Sequence, residues 1–186
     1  MRICALFLFF IMTLMAGKAE GTAPDSSNIV YRLPIFSNIN STTWIHTQRG
    51  FSEAQELNAK AIILHLNTYG GEVVFADSIR TKILNSEIPV YVFIDNNAAS
   101  AGALISIAAK KIYMRPGANI GAATVVDQAG EAAPDKYQSY MRSTIRATAE
   151  AHGKDTLVSG NDTIIKWVRD PRIAEAMVDE RVNIPG

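Results

Sequence analysis

Two short apolar runs, each followed by a turn of small residues and then a helical repeat, limit what this 186-residue chain can fold into. Ala61-Ile62-Ile63-Leu64-His65-Leu66 reads as a buried strand, ending in the turn Asn67-Thr68-Tyr69-Gly70-Gly71. Val73, Ala76, Ile79 and Ile83 then recur at helical spacing through Asn85. Pro89 opens a second buried strand, Val90–Ile94, after which Asn96-Asn97 turn the chain. Ala98 to Ala109 forms an apolar, small-residue helix, with Lys110 and Lys111 where cations suit the helix dipole. Ile112-Tyr113-Met114 is a third short strand, closed by Pro116-Gly117. This alternation predicts an α/β fold with right-handed crossovers and a mostly parallel sheet. Sites in such sheets form where the carboxyl ends of strands meet the following loops, and both small-residue turns lie at that edge.

The flanks fit the same domain. Asn28–Ile35 is β-rich, and Pro34, lacking a ladder donor, ends that strand or puts it on an edge. Ser41 to Ala61 suits a helix, and Asp135 to Met141 begins another. Ahead of these lies a different kind of segment. Arg2 precedes a thirteen-residue, largely apolar run from Ile3 to Met15, and small residues follow at Gly17 and Ala19. That is the layout of a secretory signal peptide over residues 1–19, too short in its apolar part to span a bilayer. A polar linker over 20–28 and a domain over 29–186 complete the expected organisation. A cut after Ala19 leaves 16 Lys+Arg against 18 Asp+Glu, and removes Cys4, the only cysteine. A nearly neutral domain without a basic run offers no footprint for nucleic acid. Absence of cysteine excludes disulfide scaffolds and thiol nucleophiles. His46, His65 and His152 lack ligand spacing, so neither a metal nor a cofactor is expected.

The chemistry-bearing candidates sit on the two turns. Ser100, within Ala98-Ala99-Ser100-Ala101-Gly102, follows a strand and opens a helix, like a nucleophile turn with alanine in place of its first glycine. Small neighbours let a substrate backbone approach, and the unpaired first-turn N–H groups favour negative charge. The same pattern also occurs in closely packed helices, where a serine only fills space. Gly70-Gly71 permits a backbone N–H aimed at an oxyanion, and is equally an ordinary strand-to-helix turn. For a base, His152 ends a helix and reads as a cap. Lys136, 36 residues beyond Ser100, opens the Asp135 helix, where a cation is mildly disfavoured by the dipole. A lysine acts as a base only where its surroundings hold the amine neutral, and a solvated lysine is the other reading.

Several ordered motifs together carry a resemblance. Leu66-Asn67-Thr68-Tyr69-Gly70-Gly71, Ala99-Ser100-Ala101-Gly102 and Ile112 to Ala122 resemble the Clp-protease/crotonase superfamily, as do Lys136 and Ile173 to Asp179. The nearest likeness is to membrane-associated serine proteases of the NfeD type, relatives of signal peptide peptidase A. The resemblance implies a Clp protease/crotonase-like spiral of ββα units and a Ser–Lys dyad. Ser100 would be the nucleophile and Lys136 the general base. Gly71 and Ala101 would supply the oxyanion-hole N–H groups, and Gly70 would shape the turn. Clp protease itself would need a histidine near Val125, so its Ser–His–Asp version is disfavoured. Tyr69 stands where such turns often carry proline, and Lys154 to Arg169 is longer than the family pattern. Relatives continue past the position of Gly186 into transmembrane helices and a small β-barrel.

The implied activity is an exported, extracytoplasmic serine endopeptidase acting on hydrophobic peptide segments. A stomatin-like membrane protein is the implied substrate and partner, a homodimer the implied assembly, and membrane association would come with the longer protein. Two rivals remain at this stage. A crotonase-like acyl-CoA enzyme shares the spiral, although export argues against CoA chemistry. A non-catalytic binding module would keep the fold without turnover.

Overall fold

A computed structural model describes residues 28–127, 129–159 and 162–184. The expected signal peptide and all of the linker except Asn28 lie outside the described residues. Four strands run in sequential order and in parallel: β1 (Val30–Ile35), β2 (Ala61–Thr68), β3 (Val90–Ala98) and β4 (Lys111–Met114). Between them come α1 (Ser41–Glu56), α2 (Val73–Leu84) and α3 (Ala101–Ala108). After β4 ends opposite Ile94, the two-residue β5 (Asn119–Ile120) pairs in parallel with Asn97 and Ala98. β1 is an edge strand, so Pro34 is tolerated one residue before its end.

Alternation along β2 explains the layering. Ile62, Leu64, Leu66 and Thr68 point inward and are buried, whereas Ala61, Ile63, His65 and Asn67 are only partly covered. The run read as a buried strand is therefore buried on one face. Its β-branched residues supply both faces, so composition concealed the period of two. On the outer face, His65 Nδ1 accepts from Arg32 Nε at 3.0 Å, and its ring meets Phe36 and Phe93 edge-on. The inner face packs against α2 and α3. All eight residues of α3 are buried, and its one hydroxyl, Ser106, donates to the Gly102 carbonyl at 2.7 Å. Small residues let α3 approach: a Cβ at Gly102 would stand 2.8 Å from Thr68 Cγ2.

Several expected boundaries shift. β2 runs through Asn67 to Thr68, two residues into the expected turn. α1 ends at Glu56 rather than Ala61, because Ala61 opens β2. β3 continues to Ala98 through Asn96-Asn97, read above as a turn. A bulge between Leu66 and Thr68 frees Asn67 Oδ1 to accept from Asn97 N–H, and Asn119 Nδ2 donates to Asn97 Oδ1 at 2.8 Å. Side-chain amides thus replace missing ladder bonds and keep the strand extended. α3 consequently begins at Ala101 rather than Ala98.

Beyond β5, α4 (Asp135–Glu150) returns across α3 and is followed by an antiparallel hairpin, β6 (Lys154–Ser159) and β7 (Asp162–Trp167). The short α5 (Pro171–Ala176) closes the described chain, capped by Asp170 accepting from Arg172 N–H. The hairpin is what the long Lys154 to Arg169 segment forms. Truncating Leu64 to alanine is expected to cost about 2–5 kcal/mol, whereas Ile63→Ala on the half-open outer face should cost about 1 kcal/mol. Urea unfolding of the two variants checks the difference.

Candidate active site

Gly70 and Gly71 leave β2 with φ values of +117° and +150°, which L side chains rarely adopt. Thr68 holds the turn: its buried hydroxyl donates to the Ser37 carbonyl at 2.8 Å and accepts from Gly70 N–H at 3.1 Å. Ile39 N–H donates to Gly70 O, and Glu72 N–H donates back to Ile39 O, each at 2.8 Å. Gly71 is held between these two bonds so closely that a Cβ there would lie 2.1 Å from the Ile39 oxygen. Among the described residues, no acceptor takes the Gly71 N–H.

Ser100 occupies the turn from β3 into α3 at φ 50°, ψ −115°. A non-glycine residue held at such a φ costs about 1–3 kcal/mol, and strain of this kind gathers at functional sites. Its N–H donates to the Ala122 carbonyl at 2.8 Å, so the Ser100 amide is used within the fold. The Ala101 N–H, first in the helix, has no acceptor among the described residues. The two turns touch: a Cβ at Gly70 would stand 2.7 Å from Ser100 Cβ and 3.1 Å from its Oγ. Gly70, Gly71, Ser100 and Ala101 are thus brought together, and Ser100 opens into a cleft of about 50 Å³ with Gly71, Ala101 and Met141 in its walls.

Lys136 is placed elsewhere. It lines a wider groove of about 670 Å³ with Val74, Asp77, Tyr137 and Tyr140. Its Nζ rests over the Tyr137 ring, 4.9 Å from the centroid. The groove and the Ser100 cleft share Val73, Val125 and Met141, so the two spaces adjoin. No hydrogen bond joins Lys136 to Ser100 among the described residues. Tyr69, 77% exposed, lines neither space.

The reading of residues one at a time overlooked Gln138. This buried side chain accepts from Val125 N–H at 3.0 Å and donates to the carbonyls of Val125, at 2.6 Å, and Ala133, at 3.1 Å. It ties the segment Gly121–Val125, a strap without regular secondary structure, to the first turn of α4. The strap is also fastened by Ala123 N–H to Met177 O at 2.6 Å. A glutamine two residues after Lys136 gives no signal in a single sequence, because glutamine is an ordinary surface residue of helices.

His152 is far from this chemistry. Its Nε2 donates to the Ile107 carbonyl at 2.8 Å, pinning the end of α4 to the end of α3. Burial, and then the Arg169 charge, lower its pKa below the ordinary imidazole value. Burial and Arg32 do the same for His65.

Residues 29–186 match the family model for the N-terminal domain of NfeD1b. The chain belongs to this family. It is 34% identical over 179 residues to the membrane protein NfeD1b of Bacillus subtilis, covering 96% of this chain and 37% of that protein. It is 33% identical over 142 residues to the membrane-bound protease PH1510 of Pyrococcus horikoshii, covering 72% of this chain and 32% of that protein. The chain therefore spans about a third of the length of both curated relatives. Among solved structures it resembles a lysine-to-alanine mutant of the 1510-N membrane-bound stomatin-specific protease in complex with a substrate peptide. The TM-score is 0.69 at 30% identity, over 82% of this chain and 67% of that one. ClpP1 of Listeria monocytogenes shares the fold, with a TM-score of 0.56 at 16% identity over 80% of this chain and 88% of that one. The fold is thus the Clp protease-like one.

Replacing Gln138 with leucine removes the partners of the half-buried Val125 N–H and carbonyl and should cost about 1 kcal/mol in urea unfolding. Both lowered histidine pKa values mean that the folded state binds fewer protons than the unfolded chain near neutrality. Stability is therefore retained above about pH 6.5 and lost as pH falls below it. Urea midpoints measured down to about pH 5 should fall, and His152→Gln should flatten that slope.

Proposed function

We propose that residues 29–186 form the protease domain of a membrane-associated protein and cleave apolar peptide segments by acyl transfer from Ser100. The observation that carries this reading is the strained strand-to-helix turn at Ser100, set beside two N–H groups, of Gly71 and Ala101, that no acceptor in the turn takes. Kinship with a membrane-bound, stomatin-specific protease supports it.

In this reading the Ser100 hydroxyl attacks the carbonyl carbon of a peptide bond, and the neutral amine of Lys136 accepts the hydroxyl proton. Negative charge developing on the carbonyl oxygen is met by the Gly71 and Ala101 N–H groups, already oriented by the two turns. The resulting ammonium of Lys136 gives its proton to the departing amine, leaving an acyl-enzyme that a water then hydrolyses. Lys136 must leave the Tyr137 ring to do this. Catalytic hydrogen bonds often tighten only when substrate is bound.

Substrate class follows from the groove beside the cleft. Val73, Val74, Tyr137 and Tyr140 offer apolar walls to side chains flanking the scissile bond. By kinship, a stomatin-like membrane protein on the extracytoplasmic side is the natural candidate. Among the described residues no helix is long and apolar enough to cross a membrane.

Mass spectrometry of a hydrophobic peptide panel tests the reading. Ser100→Ala and Lys136→Ala should each lower cleavage by about a thousandfold or more with unchanged circular dichroism. Lys136→Arg should not restore it, because a guanidinium stays protonated. Turnover surviving in Ser100→Ala would remove the nucleophile assignment, and turnover surviving in Lys136→Ala would remove the base.

A further inference from the structure

A parallel sheet is almost always covered by helices on both faces. Here α2 and α3 cover the inner face. Over the outer face lies an open groove of about 800 Å³, and every residue that lines it belongs to β1, β2, β3 or β4. The strand register places Arg32, Ile63, Tyr91 and Lys111 in one row across the sheet, and Pro34, His65, Phe93 and Tyr113 in the next. Val30 and Tyr113, toward opposite rims, are 51% and 52% exposed. Among the described residues, no helix lies across this face.

The charges say what kind of cover fits. Arg32 and Lys111 end the first row, on β1 and β4, and neither meets a carboxylate among the described residues. Arg32 is held against the sheet by its bond to His65 Nδ1. Asp95, the acid that β3 adds to this face, is taken by Arg115 at 3.0 Å. Three strand spacings, about 14 Å, separate Arg32 from Lys111. A helix with its side chains is about 10–12 Å across. One lying along β2 and β3 would set an apolar stripe on Ile63, Tyr91 and Phe93 and hold a flank against each cation. Carboxylates on both flanks complete the match. The groove is a hollow, which suits a rod-like helix better than the flat surface of a bilayer.

We propose that this face docks an amphipathic α-helix of a partner protein, apolar along one stripe and acidic on both flanks of it. A second copy of the chain does not offer such a helix, because α1, α2, α3 and α4 turn their apolar stripes to their own core. Residues 20–28, which lead into β1 at the rim, are small and polar and have no stripe to offer. The groove shares no lining residue with the Ser100 cleft or with the groove of Lys136, so a docked helix leaves both open. The docking site does not depend on the protease reading.

Fluorescence anisotropy with the full chain tests the site, using labelled synthetic helices of about 18 residues, about 27 Å long. One carries a leucine stripe between glutamate flanks and the second the same stripe between lysine flanks. The third keeps the glutamates but has serines in place of the stripe. The glutamate-flanked leucine peptide should bind about tenfold tighter than either of the others. Arg32→Glu and Lys111→Glu should each weaken it about tenfold. The double variant should instead prefer the lysine-flanked peptide, an exchange that a folding defect would not produce. Equal binding of the two leucine peptides, equally tight binding of the serine peptide, no binding at all, or no exchange in the double variant would each overturn the docking site. So would wild-type self-association that Tyr113→Asp abolishes, which gives the face to a second copy. Capture of wild type, but not of the double variant, by phosphatidylglycerol vesicles while no peptide binds would overturn it in favour of lipid.

Discussion

The contact between two strand-to-helix turns governs the site. β2 and β3 are neighbours in a parallel sheet, so both deliver their carboxyl ends to one edge, and the turns that follow must share a small volume. They can do so because Gly70 has no side chain where Ser100 lies. The same closeness holds Ser100 in a left-handed conformation, with its amide tied to Ala122 and the next amide left over. Thr68 and Ile39 complete the frame from the other side, fixing Gly70 and leaving the Gly71 N–H without an internal acceptor. The strain at Ser100 is sustained by the surrounding packing, where α3 is buried along its whole length.

A second device connects this frame to α4. Gln138 binds both the N–H and the carbonyl of Val125, and reaches Ala133 as well. One side chain therefore sets how the strap beside Ser100 sits relative to the helix turn that carries Lys136. Val125, with Val73 and Met141, lines both the cleft and the groove.

The parallel sheet, its strand order and the two turns were legible because strong apolar periods and small-residue turns are local signals. Ser100 and the Gly70-Gly71 turn could be placed at one edge because two βα units in succession must bring their turns there, whereas Ala101 is named only through the family resemblance. Other elements were not legible. β5 has two residues, and Asn96-Asn97 looked like a turn because the side-chain amides that extend β3 come from Asn67 and Asn119, distant in sequence. The β6–β7 hairpin has exposed residues on both faces, so no contrast of buried and polar positions marks its strands.

By itself, the sequence determined the class of fold, the edge at which chemistry could occur and the residue types available there. Each of these depends on neighbours within a few residues. Only the tertiary structure decided that Gly70 lies against Ser100, that Gln138 ties the strap to α4, and that Lys136 rests on Tyr137 in a separate groove. Those facts depend on distances between segments tens of residues apart, which packing sets and local propensity does not encode.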